Sequence, residues 1–196
     1  MDLIFALLSL LILSPIFIII AIMIKIDSKG PVFFRQERLG KDGKVFRIYK
    51  FRTMIDGAIN MGAKLHTYEG DYRITKIGNI LRRLSIDELP QIINILKGEM
   101  SFIGPRPPVP YYPRQYKEYT DEQKKRFLVK PGITGYAQVM VRNSASWDER
   151  IKLDLVYVNK MGLFFDLYIL FLTIWVVIKR ENIYPESHSF KISQKS

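Results

Sequence analysis

LIFALLSLLILSPIFIIIAIMI, residues 3–24, carries no charged side chain, and its reading decides how the rest of the chain is placed. At about 1.5 Å per residue, such a run reaches across the roughly 30 Å hydrocarbon core of a bilayer as one helix. A cleavable signal would put basic residues ahead of a shorter apolar stretch and small residues behind it. Here Asp2 precedes the run and Lys25 closes it, so the segment is expected to be retained. Ser14-Pro15 sits near its middle. Pro15 removes an N–H and crowds the carbonyl four residues back, so a kink is expected there, and Ser14 can bond a freed carbonyl. Two geometries stay open: a kinked helix that spans the membrane, or a helix broken at Ser14-Pro15 that returns to the same leaflet. Proline kinks are common inside spanning helices, so residue chemistry alone favours the first.

Outside this run the chain is basic. Thirty Lys and Arg stand against 19 Asp and Glu, a net charge of +11 with 48% apolar residues, so charge and apolar surface are segregated along the 196 residues. One ordinary domain fits that length; a disordered tail does not fit that composition. There is no cysteine, which excludes disulfides, thiol nucleophiles and Cys-ligated zinc, and two histidines leave little material for a Ser-His-Asp triad. Carboxylate, Arg/Lys and hydroxyl chemistry remains. A second apolar stretch, Leu163 to Ile178, is too short to span well, and it carries Asp166. It reads equally as a helix at headgroup level, anchored by Tyr168 and Trp175, or as a buried core helix.

Between the two, VFFRQERLG and KVFRIYKFRTM flank Lys41-Asp42-Gly43 and predict a β-hairpin. Its Arg35, Arg38, Lys44, Arg47, Lys50 and Arg52 form either an anion-facing surface or a solvated strand face. Residues 55–79 show little pattern. Then comes the densest cluster, ILRRLSIDELPQIINILKGEMSFIGPRPP from Ile80. Ser85 and Glu88 have capping-box spacing ahead of a helix ending at Gly98; in another register Asp87 is the N-cap. Either way Asp87 and Glu88 are expected at the positive end of a helix dipole, ionised with lowered pKa, as a nucleophile or a metal ligand requires. Gly104-Pro105-Arg106-Pro107-Pro108 would hold Arg106 on a stiff backbone. Lys130-Pro131-Gly132-Ile133-Thr134-Gly135 is expected to bring backbone N–H groups near an anion, and Arg142-Asn143-Ser144 precedes a helical WDERIKLDLVYVNK. Together these suit chemistry on a phosphate diester or anhydride. P-loop and GxGxxG patterns are absent.

In order and spacing, the Ser14-Pro15 segment, IYKFRTM, LRRLSIDELPQIINILKGEMSFIGPRP, KPGITGYAQV and the WDER and FDLYIL stretches resemble the bacterial sugar transferase family over residues 3–180. These are the monotopic phosphoglycosyl transferases that start glycan assembly on polyprenyl phosphate. The resemblance implies a mixed α/β, mainly helical fold in its minimal form: a re-entrant helix over 1–26 broken at Ser14 and Pro15, a catalytic domain over 27–180 with interfacial helices, and a polar tail over 181–196. It places the protein at the inner membrane with its catalytic domain on the cytoplasmic face, which reverses the preference for a spanning helix. It further implies transfer of a phospho-sugar from a UDP-sugar to polyprenyl phosphate with release of UMP, and a need for Mg²⁺. By the same resemblance Asp87 attacks the sugar-linked phosphorus and touches the metal, and Glu88 assists as metal-site or acid/base partner. Arg106 and Arg142 hold phosphates, and Lys50 and Arg52 occupy a basic stretch of binding or structural role. Membrane lipids and downstream glycosyltransferases are implied partners, and nucleic acid is not. Met140-Val141 stands where many members have Asn-Gly, and Met-Asp-Leu opens a chain whose relatives usually begin with basic residues. The competing readings are a membrane-anchored basic module that grips nucleic acid or anionic lipid without chemistry, and an inactive assembly scaffold.

Overall fold

The computed structural model describes residues 2–62, 64–65, 67–68, 70–141 and 145–179. The apolar run forms a single helix, α1 (Asp2–Asp27), that continues through Pro15. The expected break into two half-helices at Ser14-Pro15 is therefore not what this structure holds. Its physical reason is local: Pro15 has no N–H for the Leu11 carbonyl, and the Ser14 hydroxyl donates to that same oxygen at 2.8 Å. One stripe of α1, with Ala6, Leu10, Leu13, Phe17, Ile20 and Ile24, packs along the domain from end to end. Ala6 meets Phe46, Ile48, Ile92, Ile95 and Met100, whereas Phe17, Ile20 and Ile24 meet Phe51 and Leu81. The remaining faces expose Leu and Ile, Ile12 at 73% and Ile26 at 81%. Among the described residues, α1 is the one helix long and apolar enough to cross a membrane.

The predicted hairpin is present. β1 (Phe33–Leu39) pairs antiparallel with β2 (Val45–Phe51) in a register that sets Phe33 against Phe51 and Leu39 against Val45. The turn at Lys41–Gly43 carries Asp42 at φ 56°. Alternation along β2 turns Phe46 and Ile48 into the core beneath α1. In the stretch that had no pattern, Arg73 and Asp71 form a fully buried ion pair, and Arg73 also donates to the carbonyls of Ala58, Met61 and Lys64. One guanidinium thus organises a loop that has no periodicity of its own. Helix α2 (Lys76–Arg83) follows, capped by Thr75, whose hydroxyl accepts from the Gly78 amide.

Capping at the acidic pair does not form. Ser85 sits at φ 56° and its side chain caps nothing; Asp87 and Glu88 lie inside a 3₁₀ turn, Ile86–Gln91, one turn ahead of the short α3 (Ile92–Leu96). Pro90 explains the difference, because it lacks the N–H that would bond the Ile86 carbonyl in an α-helix. β3 (Ser101–Ile103) pairs parallel with β4 (Gly132–Thr134). The glycine loop 130–135 is thereby explained structurally: the Gly132 amide donates to Pro105 O and the Gly104 amide to Thr134 O, so these donors serve strand pairing and not an anion. A Cβ on Gly132 would stand 2.1 Å from the Gly104 nitrogen, so only glycine allows the approach. The described residues continue with α4 (Asp121–Lys124), α5 (Tyr136–Val141), α6 (Trp147–Lys160) and α7 (Leu163–Lys179). Helix α7 buries one face and exposes the other. Ile169 is fully buried with Val139 and Tyr157, while Phe164, Leu167, Phe171, Ile174, Trp175 and Ile178 form an exposed apolar face. Among the described residues the architecture is mixed and mainly helical, with two small two-stranded sheets. Residues 181–196 lie outside the described residues.

Candidate functional site

Strand β2 and the 3₁₀ turn bring the acidic pair against the basic hairpin. Asn94 of α3 splices them, accepting from the Tyr49 amide at 3.0 Å and donating to Arg47 O at 2.8 Å. That fixes Lys50, the next residue along the strand, over Glu88: its Nζ lies 2.6 Å from Glu88 Oε1. Arg106, on its proline-flanked stem, donates to the same oxygen from 3.1 Å. Burial raises the Glu88 carboxyl, but the charges and hydrogen bonds of Arg106 and Lys50 outweigh it and hold the group well below the usual carboxylate range. Glu88 in turn raises Arg106, while burial lowers Lys50 against the pull of Glu88.

Asp87 differs. Its carboxylate accepts no hydrogen bond from the described residues, and burial pushes its pKa from 3.8 up to about 6, with Lys50 opposing and the neighbouring Glu88 charge adding. The expected lowered pKa is therefore reversed for Asp87, because burial outweighs the neighbouring cations. The pair divides into an ionised, doubly paired Glu88 and a desolvated, partnerless Asp87 that gains most from a cation or an electrophile.

Of the other expected site residues, Arg52 lies elsewhere. It is 5% exposed and donates to Ile24 O, Ser28 O and Lys29 O at the end of α1, with a further bond to the Ser28 hydroxyl. A cation on three terminal carbonyls caps that helix, so Arg52 serves structure and not the acidic pair. Arg142 lies outside the described residues.

Four more arginines bear on the site: Arg38, one of the hairpin's basic residues, and Arg82, Arg126 and Arg150, which sequence reasoning did not single out. Arg38, donating to Pro107 O and to Gln36, is brought down to about 10 by burial and by the nearby Arg106 charge. Arg82 bears on Asp87 from α2. Arg126 and Asp154 form a buried pair at 2.6 Å, and Arg126 also donates to the Arg106 backbone carbonyl at 2.8 Å. Arg150 lies close enough to Arg106 for its pKa to fall, after burial, by mutual repulsion. Asp154 left a trace in the sequence, as a carboxylate between Ile151 and Tyr157 on the inward stripe of α6.

Magnesium fits the donor set. It takes one or two carboxylates and fills its octahedron with water and phosphate oxygens, and the acidic pair offers the partnerless Asp87 beside Glu88. Among the described residues, no group of three or more acidic or histidine side chains forms a cage.

The sequence profile described as bacterial sugar transferase matches residues 1–180, the whole of the site just described. The chain belongs to the bacterial sugar transferase family. Within that family it is 46% identical over 173 residues to an uncharacterized sugar transferase, EpsL, of Bacillus subtilis, covering 88% of this chain and 82% of the relative. It is 41% identical over 181 residues to a UDP-N-acetylgalactosamine-undecaprenyl-phosphate N-acetylgalactosaminephosphotransferase of Aeromonas hydrophila, covering 91% of this chain and 43% of that one. It is also 41% identical over 181 residues to a UDP-glucose:undecaprenyl-phosphate glucose-1-phosphate transferase of Escherichia coli, covering 89% and 38%. The chain thus spans most of the Bacillus relative and about two fifths of the other two. In this sugar transferase family member, the acidic pair and its cations lie on the part shared with relatives named for work on undecaprenyl phosphate.

Proposed function

We propose that the protein transfers a phospho-sugar from a UDP-sugar to a polyprenyl phosphate such as undecaprenyl phosphate, in two displacements at Asp87. The observation that carries this reading is the contrast within the acidic pair: Glu88 fixed by Lys50 and Arg106, Asp87 unpartnered beside it. In the first displacement an Asp87 carboxylate oxygen attacks the sugar-linked phosphorus, and the phosphoanhydride bond breaks with its electron pair leaving on UMP. The product is an acyl phosphate carrying the sugar. In the second, an oxygen of the polyprenyl phosphate attacks the same phosphorus, the acyl–oxygen–phosphorus link breaks, and Asp87 is restored as a carboxylate. Splitting the transfer lets a water-soluble and a lipid substrate use one site in turn. Lys50, Arg106 and Arg38 hold and neutralise the phosphates, and Glu88, kept ionised, fixes Lys50 and Arg106 in place. Magnesium held by Asp87 and Glu88 would neutralise diphosphate charge and lower the Asp87 pKa toward ionisation.

The same reading makes the protein monotopic, on the cytoplasmic face of the inner membrane. Two observations support it. Both ends of α1 touch one body: the Asp27 carboxylate accepts from the Ile77 amide at 2.9 Å, while Ala6 is buried on the α3 side. A straight spanning helix would instead carry its first turn roughly 30 Å away from the domain. The outward faces of α1 and α7 are apolar, and Trp175 sits on the exposed face of α7. The deciding experiment incubates detergent-solubilised protein with UDP-sugars, Mg²⁺ and undecaprenyl phosphate. UMP release that disappears in Asp87→Asn supports the reading; no UMP from any donor overturns it.

A further inference from the structure

Arg106 meets Glu88 with the tip of its side chain, and its root is held as closely. The stem that carries it, Gly104 to Pro108, has prolines at 105, 107 and 108, which have no N–H to give to a neighbouring strand. It is fastened through its carbonyls instead. Pro105 O accepts from the Gly132 amide at 3.1 Å, Pro107 O from Arg38 at 3.0 Å and Pro108 O from the Leu39 amide at 2.9 Å. Just upstream, Ile103 O accepts from the Tyr157 hydroxyl at 3.3 Å. The carbonyl of Arg106 itself accepts from Arg126 Nη2 at 2.8 Å, the shortest of these bonds and a charge-assisted one.

Arg126 is itself held fast. It is 2% exposed, and its Nε and Nη2 both donate to Oδ2 of the 1% exposed Asp154, at 3.0 and 2.6 Å. Its guanidinium carbon lies 5.1 Å from the centre of the Phe127 ring and 5.9 Å from that of Trp147. One nitrogen, Nη2, thus joins the carboxylate on α6 to the backbone of Arg106. The pair is not arranged for its own strength. A fork-to-fork pair engages both carboxylate oxygens, whereas here Asp154 Oδ1 and Arg126 Nη1 have no partner among the described residues. What the arrangement keeps is the reach to Arg106. Apolar side chains of similar volume often replace a buried ion pair without loss of stability, so the fold alone gives little reason for this one.

We propose that Arg126, braced by Asp154, is a positioning residue for Arg106: it fixes the root of that side chain so that the guanidinium stands against Glu88 and the phosphate being transferred. The inference rests on the phosphate-holding role given to Arg106 above. Arg126 acts through the backbone of residue 106, and a misplacement of about 1 Å in a group that holds a reacting phosphate costs on the order of a hundredfold in rate. The test uses the full chain in detergent with Mg²⁺, a UDP-sugar and undecaprenyl phosphate. Arg126→Met combined with Asp154→Leu removes the brace as a unit and leaves no buried charge behind, so melting should stay within about 5 °C of wild type. Its kcat for UMP release should fall roughly tenfold or more. In an Arg106→Gln background the same two changes should lower kcat by less than about twofold, because the group they position is gone. Equal losses in the two backgrounds, or an unchanged kcat in the first, overturn the proposal, since a pair that only supports the fold acts regardless of Arg106. Arg126→Lys keeps a cation against Asp154 but not the fork that reaches both oxygens, and it should show the same loss and the same dependence on Arg106. A second readout needs no turnover. An arginine-selective dicarbonyl reagent, followed by peptide mass spectrometry, should modify Arg106 roughly threefold faster or more in both variants than in wild type, as its side chain loosens from Glu88. Exposed Arg47 serves as the reference and should react at one rate throughout. Arg106 modified at the wild-type rate in both variants overturns the proposal. Faster modification in the variants, with no UMP from the wild type, supports the positioning and overturns the transferase reading instead.

Discussion

Replacing Asp87 by Asn should stabilise the protein, and the gain should depend on pH in one direction. Burial raises the Asp87 pKa from 3.8 to about 6, so the folded state holds this proton more tightly than the unfolded chain does. Below about pH 4 both states are protonated and the group costs nothing. Between about pH 4 and 6 the unfolded chain ionises first, and folding loses stability; above about pH 6 the loss is complete. About two pH units at roughly 1.4 kcal/mol each gives an upper figure near 3 kcal/mol, and partial solvent access reduces it to about 1–3 kcal/mol. For a chain of this length that corresponds to a melting shift of roughly 3–10 °C. Asn carries its own fixed burial cost, so the diagnostic quantity is the difference between variant and wild-type melting temperatures followed across pH. Measured in detergent with a chelator present, that difference should rise from pH 4 to about 6.5 and then level off. A flat difference, or one that grows toward acid, would refute the account of Asp87 as a desolvated, unpartnered carboxylate.

Three further outcomes are expected. Lys50→Met leaves Glu88 with Arg106 alone and removes a phosphate-facing cation, so UMP release should fall at least tenfold with little change in melting temperature. Arg52→Lys cannot reach three carbonyls with one ammonium, so it should destabilise by about 1–3 kcal/mol while initial rates per folded molecule stay within about twofold. Preserved stability together with lost rate would move Arg52 back into the phosphate site. In membrane vesicles, cysteines introduced as Asp2→Cys and Asn60→Cys into this cysteine-free chain should react with an impermeant reagent from the same face, and labelling from opposite faces would mean that α1 spans.

The hairpin was legible because its signals are local: alternating β-prone residues on either side of Lys41-Asp42-Gly43 leave little choice of register. The apolar helix was equally plain, as was Arg106 beside the paired carboxylates Asp87 and Glu88; Lys50 was left with a binding or structural role, and the contact between β2 and the 3₁₀ turn brings it to Glu88. What could not be read was set by distant contacts. Ser85, Asp87 and Glu88 have capping spacing, yet Pro90 holds the segment in a 3₁₀ turn, and burial reverses the Asp87 pKa. Arg52 shares a motif with Lys50 but sits two residues further along, just past the end of β2, where the end of α1 takes it. The Arg126 and Asp154 pair joins residues 28 apart, with no periodic mark on Arg126. Arg73 likewise gathers the carbonyls of residues 58, 61 and 64 into a loop that carries no pattern.

The central claim is that the Asp87 side chain becomes esterified by the phospho-sugar between the two half-reactions. Wild-type protein mixed with UDP-sugar and Mg²⁺ without acceptor, quenched within milliseconds and digested, should yield a peptide containing Asp87 heavier by one sugar phosphate. The added mass should vanish on chasing with polyprenyl phosphate. An unmodified Asp87 peptide at every quench time, together with rates that require donor and acceptor to be bound at once, would contradict the two-step account.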